Sequence, residues 1–192
     1  MKLGCLIMAA GNARRFQENK LAVEFQGKSL IQRAMEAVPK DLFHKVTVVT
    51  QYAEIEELAQ SFGYDIIRNI HPDYGISHTI YLGTKAMEDC DGILYMVSDQ
   101  PLLCRDSVER VARAWLEHPE KIIGAAHDGK RGNPCLFPRA YFPELMALRE
   151  DHGGNQVIRA HPEALRTVEI PKIELSDVDT PTALEELNKN AL

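Results

Sequence analysis

The chain has no apolar run near the roughly 18–20 residues that a bilayer span requires, so no membrane partner is expected. It has no excess of basic residues either. Lys and Arg number 22 against 28 Asp and Glu, a net charge of −6, which argues against coating nucleic acid, since that task needs a basic face. The N-terminal apolar run is short and flows straight into Gly11 and Arg14, with no basic leader and no cleavage site, so a signal peptide is not expected. Cys5, Cys90, Cys104 and Cys135 form no Cys-x-x-Cys pair and read as reduced thiols in a cytoplasmic protein. The seven histidines show no zinc spacing. The chain also lacks the P-loop pattern Gly-x-x-x-x-Gly-Lys-Ser/Thr, the dinucleotide pattern Gly-x-Gly-x-x-Gly and the nucleophile elbow Gly-x-Ser-x-Gly. Those gaps remove P-loop NTPases, nicotinamide dehydrogenases and serine hydrolases of the usual kind.

What is present is an ordinary globular composition. Of 192 residues, 45% are hydrophobic, enough for a full core in one domain spanning residues 1–192. Apolar runs alternate with helix-spaced segments. Strands are expected at 3–8, 45–50, 65–68, 92–97, 122–126, 135–137 and 166–170. Helices are expected at 29–38, 53–62, 77–87, 107–116, 141–148, 156–161 and 182–188. Such alternation predicts a three-layer, Rossmann-like α/β fold with a mostly parallel sheet. Residues 128–138 break the rhythm with glycines and a proline and read as a loop plus an extra strand crossing the mouth of a site.

Several clusters could bear chemistry. In Met8-Ala-Ala-Gly-Asn-Ala-Arg-Arg-Phe16, followed by Lys20, small residues end an apolar strand and three cations follow. Loop N–H groups and these cations suit a polyphosphate at a strand tip. The same residues also suit a tight turn with solvated arginines. Asp99 ends the apolar run 92–97 within Ser98-Asp-Gln-Pro101, where a carboxylate can hold Mg²⁺ or simply bond its own turn. Asp177 and Asp179 flank Val178 on an extended stretch and so point the same way, before Thr180 and Pro181 at the start of a helix. Gly132-Asn-Pro-Cys and Asp151-His-Gly-Gly-Asn155 are loop clusters able to bind a substrate or turn the chain. His71, His78 and His152 read as solvated loop residues or ligand contacts, Trp115 as core, and Glu54–Glu57 as a solvated helix face.

Taken together these motifs resemble a nucleotidyltransferase family with the nucleotide-diphospho-sugar transferase fold. Met8-Ala-Ala-Gly-x-x-Arg-Arg15-Phe is similar to its Leu-Ala-Ala-Gly-x-x-x-Arg-Met/Phe signature, Ser98-Asp-Gln-Pro to its Gly-Asp-Gln-Pro, and Asp177-Val-Asp-Thr-Pro to its Asp-Ile-Asp-Thr-Pro. Asn69 to Ser77 is similar to its Asn-Pro-x-x-x-Gly-Met-Ser stretch. The pattern looks most like the molybdenum cofactor cytidylyltransferases and their molybdopterin guanylyltransferase cousins, from about residue 3 to 187.

The resemblance implies transfer of CMP from CTP to the terminal phosphate of a molybdopterin-type acceptor, with Mg²⁺ as cofactor and a molybdoenzyme as client. It implies Ala9, Ala10, Gly11 and Ser77 as nucleotide contacts, and Arg15 and Lys20 on the triphosphate. Asp99 and Asp179 would hold the metal, and Arg15, Lys20 and Asp99 would form the catalytic set. Gln100, Asn133, Pro134, Gly153 and Asn155 would meet the acceptor. Ala10 sides with CTP, because the guanylyl branch tends to carry Ala-Gly-Gly. Ser98, Asn133 and Asn155 depart from the family's glycine, histidine and arginine. The alternatives are a guanylyl or sugar-phosphate nucleotidyltransferase, or an accessory protein that binds nucleotide or cofactor without turnover.

Overall fold

A computed structural model describes residues 1–11 and 19–190. Strand β1 (Leu3–Ala9) is followed by a small hairpin of β2 (Glu24–Phe25) and β3 (Lys28–Ser29), then helix α1 (Leu30–Glu36). Next come β4 (Lys45–Thr50), α2 (Ala53–Ser61), β5 (Asp65–Arg68), α3 (Ile76–Ala86), β6 (Gly92–Val97) and α4 (Arg105–Glu117). The rest is β7 (Ile122–His127), β8 (Lys130–Pro138), α5 (Phe142–Ala147), α6 (Asn155–Ala160), β9 (Leu165–Glu169) and α7 (Pro181–Asn190). Seven strands form one sheet in the order β5-β4-β1-β6-β8-β7-β9. Strands β5, β4, β1 and β6 run parallel, and β9 is parallel to β7.

The continuous apolar run of β1 follows from burial on both faces. Leu3, Cys5, Ile7 and Ala9 pack on one side with Ile31 and Met35 of α1, Ile55 of α2, and Val108, Val111 and Trp115 of α4. Leu6 and Ala10 pack on the other with Ile80 of α3, Phe142 and Leu145 of α5, and Val157 and Ile158 of α6. Helix–sheet–helix layering is the result, as the alternation predicted. Helix α1 starts one residue late because Ser29 is its cap, its hydroxyl accepting from Gln32 N at 3.2 Å. A third cluster joins Phe25, Leu30, Val178 and Leu187, so the residue between the two aspartates is an anchor.

The segment 128–138 corrects one expectation. It does not cross a mouth; β8 is inserted in the sheet, antiparallel to both β6 and β7. Asp128 (φ 47°) and Gly129 (φ 74°) make a tight hairpin turn with both residues left-handed. Pro134, which has no N–H for a ladder, is absorbed by a bulge. Gly124 pairs with Cys135 and Ala126 with Arg131, so three residues of β8 face one of β7. Among the described residues no helix is long and apolar enough to cross a membrane.

Candidate active site

The parallel strands β1, β4 and β6 end side by side, and the chain beyond β1 is fastened there. Four successive carbonyls accept side-chain hydrogen bonds. Ser98 Oγ donates to Met8 O at 2.7 Å, Thr50 Oγ1 to Ala9 O at 2.8 Å, Gln51 Nε2 to Ala10 O at 2.8 Å, and Tyr52 Oη to Gly11 O at 3.0 Å. The Ala9–Gly11 backbone is thus held from below and from the side, and a Cβ added at Gly11 would meet no atom of the described residues within 4 Å. That open space is what close ligand approach to a glycine requires.

Beside this loop the charged groups converge. Lys20 sits in a short 3-10 turn, Lys20–Ala22, whose first N–H groups are capped when Asn19 Oδ1 accepts from Leu21 N at 3.1 Å. The Lys20 ammonium donates to Asp99 Oδ2 at 2.8 Å and to Asp179 Oδ1 at 3.1 Å. Burial pulls its pKa down, but the hydrogen bonds and charges of Asp99 and Asp179 outweigh that and raise it overall. The two acidic segments are joined directly, since Val178 N donates to Asp99 O at 2.8 Å. Asp177 faces the same group. Its carboxyl is pushed up to about 6 by desolvation first and then by the charges of Asp99 and Asp179. Asp99 is 22% exposed and Asp179 is 60% exposed, so an incoming ligand can reach both.

A pocket of about 100 Å³ opens beside these strand tips, with Met8, Tyr95, Val97, Phe137 and Ile158 among its apolar walls. Asn133, Gly153, Gly154 and Asn155 supply its polar rim. The bulge in β8 explains Asn133, because it turns residues 132–134 out of the ladder. Asn155 Oδ1 accepts from Arg131 Nη1 at 2.6 Å. The position where the family carries arginine therefore has an arginine laid against it from the neighbouring strand.

The structure brings Lys20, Asp99 and Asp179 together, with Ala9, Ala10 and Gly11 fastened at the adjoining strand tip, and gathers Asn133, Gly153 and Asn155 around one pocket. Pro134 is buried next to Asn133. Gln100 and Ser77 stand outside the pocket lining, Gln100 beside the carboxylates instead. The Gln100 amide bonds the Asp177 carboxylate and reaches Leu175 O at 3.5 Å, while its Oε1 is buried with no protein partner among the described residues. Ser77 Oγ donates to Tyr74 O at 3.4 Å and its N–H to Glu150 O at 3.1 Å. Arg14 and Arg15 lie outside the described residues. Sequence reading missed Thr50, Gln51, Tyr52 and Arg131. Only Ser98 had a visible signal, as a hydroxyl in a glycine position.

The donor set fits a hard divalent cation. Asp99, Asp177 and Asp179 offer only carboxylate oxygens, the ligands that magnesium and manganese prefer, and an ammonium already bridges two of them. Among the described residues, the group of three whose ligand atoms all lie close enough to share an ion is instead His127, Asp128 and Glu169, but it satisfies itself. His127 Nδ1 lies 2.9 Å from Glu169 Oε1, which also accepts from Asp128 N at 3.0 Å.

The fold is that of nucleotidyltransferases. A nucleotidyl transferase from Methanothermobacter superposes with a TM-score of 0.83 at 19% identity, covering 98% of this chain and 97% of that one. A CMP:2-keto-3-deoxy-manno-octonic acid synthetase complexed with CTP gives 0.77 at 16% identity, over 100% and 98%. A Mycobacterium tuberculosis protein in complex with manganese also gives 0.77 at 16% identity, over 98% and 99%. The chain belongs to the family described as the MobA-like NTP transferase domain, whose profile matches residues 5–165. Among curated relatives, the purine catabolism protein PucB of Bacillus subtilis is 26% identical over 92% of this chain and 91% of its own length. A 3-deoxy-manno-octulosonate cytidylyltransferase of Francisella philomiragia is 31% identical, over 54% of this chain and 42% of its own length.

Proposed function

We propose that this nucleotidyltransferase moves CMP from CTP to the terminal phosphate of a molybdopterin-type acceptor and releases pyrophosphate, with a molybdoenzyme as the eventual client. The observation that carries the reading is the Lys20 ammonium between Asp99 and Asp179, beside a glycine-bearing loop at the tips of parallel strands. A phosphate oxygen of the acceptor attacks the α-phosphorus of CTP; the bond from that phosphorus to the bridging oxygen breaks, and pyrophosphate takes the electron pair. The nucleophile is ionised at neutral pH, so no strong general base is needed. Positioning and charge neutralisation do the rest.

Lys20 and Arg15 hold the triphosphate. Ala9, Ala10 and Gly11 present their fastened backbone to base and ribose, with Ala10 favouring cytosine. Asp99 and Asp179 hold Mg²⁺, which when bound neutralises phosphate charge. The apolar pocket with its amide rim at Asn133 and Asn155 suits a flat heterocycle with polar edges, with Gly153 allowing close approach. Similarity to a CTP-bound structure and to a cytidylyltransferase supports the choice of CTP.

Purified protein is given Mg²⁺, molybdopterin and either CTP or GTP, and pyrophosphate and the nucleotide adduct are measured. CTP-dependent adduct is expected. Asp99→Ala should lower turnover by about 10²–10³-fold with the fold intact, the cost of losing one electrostatic stabiliser. A preference for GTP would overturn the base assignment, and pyrophosphate release with a sugar phosphate but not with molybdopterin would overturn the acceptor.

A further inference from the structure

We infer that Lys20 is the resident counter-ion of the ligand-free site, and that the triphosphate must draw it away before a divalent metal can sit between Asp99 and Asp179. This rests on the nucleotidyltransferase site proposed above and adds an order of binding to it. One ammonium hydrogen-bonds both carboxylates, at 2.8 and 3.1 Å. A divalent cation using the same two oxygens would need that space, and two cations at such separation repel strongly where water is partly excluded. The ammonium is also not idle there. Asp177 adds its charge to those of Asp99 and Asp179, so Lys20 offsets the mutual repulsion of three carboxylates.

The backbone of Lys20 cannot retreat. Leu21 next to it is buried, Asn19 caps the turn, and Asn19 Nδ2 is itself tied to Glu54 Oε1 at 2.8 Å. Only the flexible four-carbon stem can move the charge. Phosphate oxygens beside the fastened Ala9–Gly11 loop offer the ammonium an alternative partner of the same sign as the carboxylates. Nucleotide then frees the carboxylates for the metal, and metal alone meets an occupied site. Each ligand strengthens the other through a single swinging cation.

The test uses Mn²⁺ binding, counted from the resonance of the free ion, and CTP binding in chelator, both on the full chain. Wild type should bind Mn²⁺ weakly without nucleotide. Lys20→Gln should bind it about tenfold or more tightly under the same conditions, within the usual range for coupled sites. Reciprocally, Asp99→Asn should bind metal-free CTP several-fold more tightly than wild type, because Lys20 is released towards the triphosphate. Lys28→Gln, which removes a surface cation paired with Glu36, should change neither. Failure of either shift in a folded variant overturns the inference. If Lys20→Gln does not fold, Lys20→Met takes its place; tight Mn²⁺ binding by nucleotide-free wild type would overturn it without any variant. The site reading fails separately: a tight Mn²⁺ site in Lys20→Gln that survives addition of Asp99→Asn would mean that these carboxylates are not the metal ligands.

Discussion

Asp177 is held in a position that its own charge resists. Desolvation and the charges of Asp99 and Asp179 push its carboxyl up to about 6, from an ordinary value of 3.8. The folded state therefore binds the proton more tightly than the unfolded chain does. The resulting stability is fully present below the unfolded value and is lost as pH rises through about 6. Asp177→Asn removes the repulsion, so it should melt higher than wild type at about pH 7.5 and lose that advantage towards pH 4. Because the residue is exposed on one side, solvent screening limits the gain to roughly 1 kcal/mol. Melting curves at the two pH values decide; an unchanged difference between them would contradict the crowding. At this same scale, Lys20, Asp99 and Asp179 were legible as types and spacings. Their partners were not. Thr50, Gln51 and Tyr52 act on carbonyls 41 residues away, a relation that no local pattern encodes.

Among the elements, α3 depends on a junction only glycine can make. Gly75 has φ 83° and ψ −177°, a region closed to other residues, and a Cβ there would run into the Glu150 carbonyl. That carbonyl is the one that accepts from Ser77 N, so Gly75 lets the loop holding Gly153 and Asn155 dock on the start of α3. Gly75→Ala combines backbone strain with a clash against backbone, each costing on the order of 1–3 kcal/mol. At two kcal/mol or more, the melting temperature of a chain this size should fall by about 4–8 °C. An unchanged melting temperature would mean that the loop does not seat there. The helices and the parallel strands were readable because each buries a stripe or both faces, and periodicity follows burial. The hairpin of β2 and β3 was not, since two residues per strand establish no period. The insertion of β8 was misread because Gly132 and Pro134 are loop residues by local chemistry, and only the bulge opposite β7 makes them tolerable in a sheet.

On the scale of the whole molecule, the sheet has two halves of different legibility. Strands β5, β4, β1 and β6 are parallel and follow in sequence the rhythm of strand and helix, and Ala9–Gly11, Lys20 and Asp99 stand on their tips. Strand β8 carries the break at 128–138, with β7 before it and β9 after, and the pocket rimmed by Asn133 and Asn155 draws its walls from β8, α5 and α6 together with β1, α3 and β6. Asp179 joins the two, because the chain returns after β9, buries Val178 against Phe25 and Leu30, and delivers its carboxylate to Lys20. A nucleotide bound at the first half and metal held across this return should therefore tighten the whole chain rather than one loop. A ligand that binds only the folded state stabilises it by about 2.7 kcal/mol at a hundred times its Kd. For a chain of this length that corresponds to a rise of roughly 5–11 °C in melting temperature. CTP with Mg²⁺ should give this shift, GTP with Mg²⁺ a smaller one, and CTP without metal an intermediate one, since Lys20 can bind triphosphate while the carboxylates stay unmetallated. Equal shifts with CTP and GTP would remove Ala10 as the determinant of the base, and no shift with either would remove the nucleotide site from these strand tips.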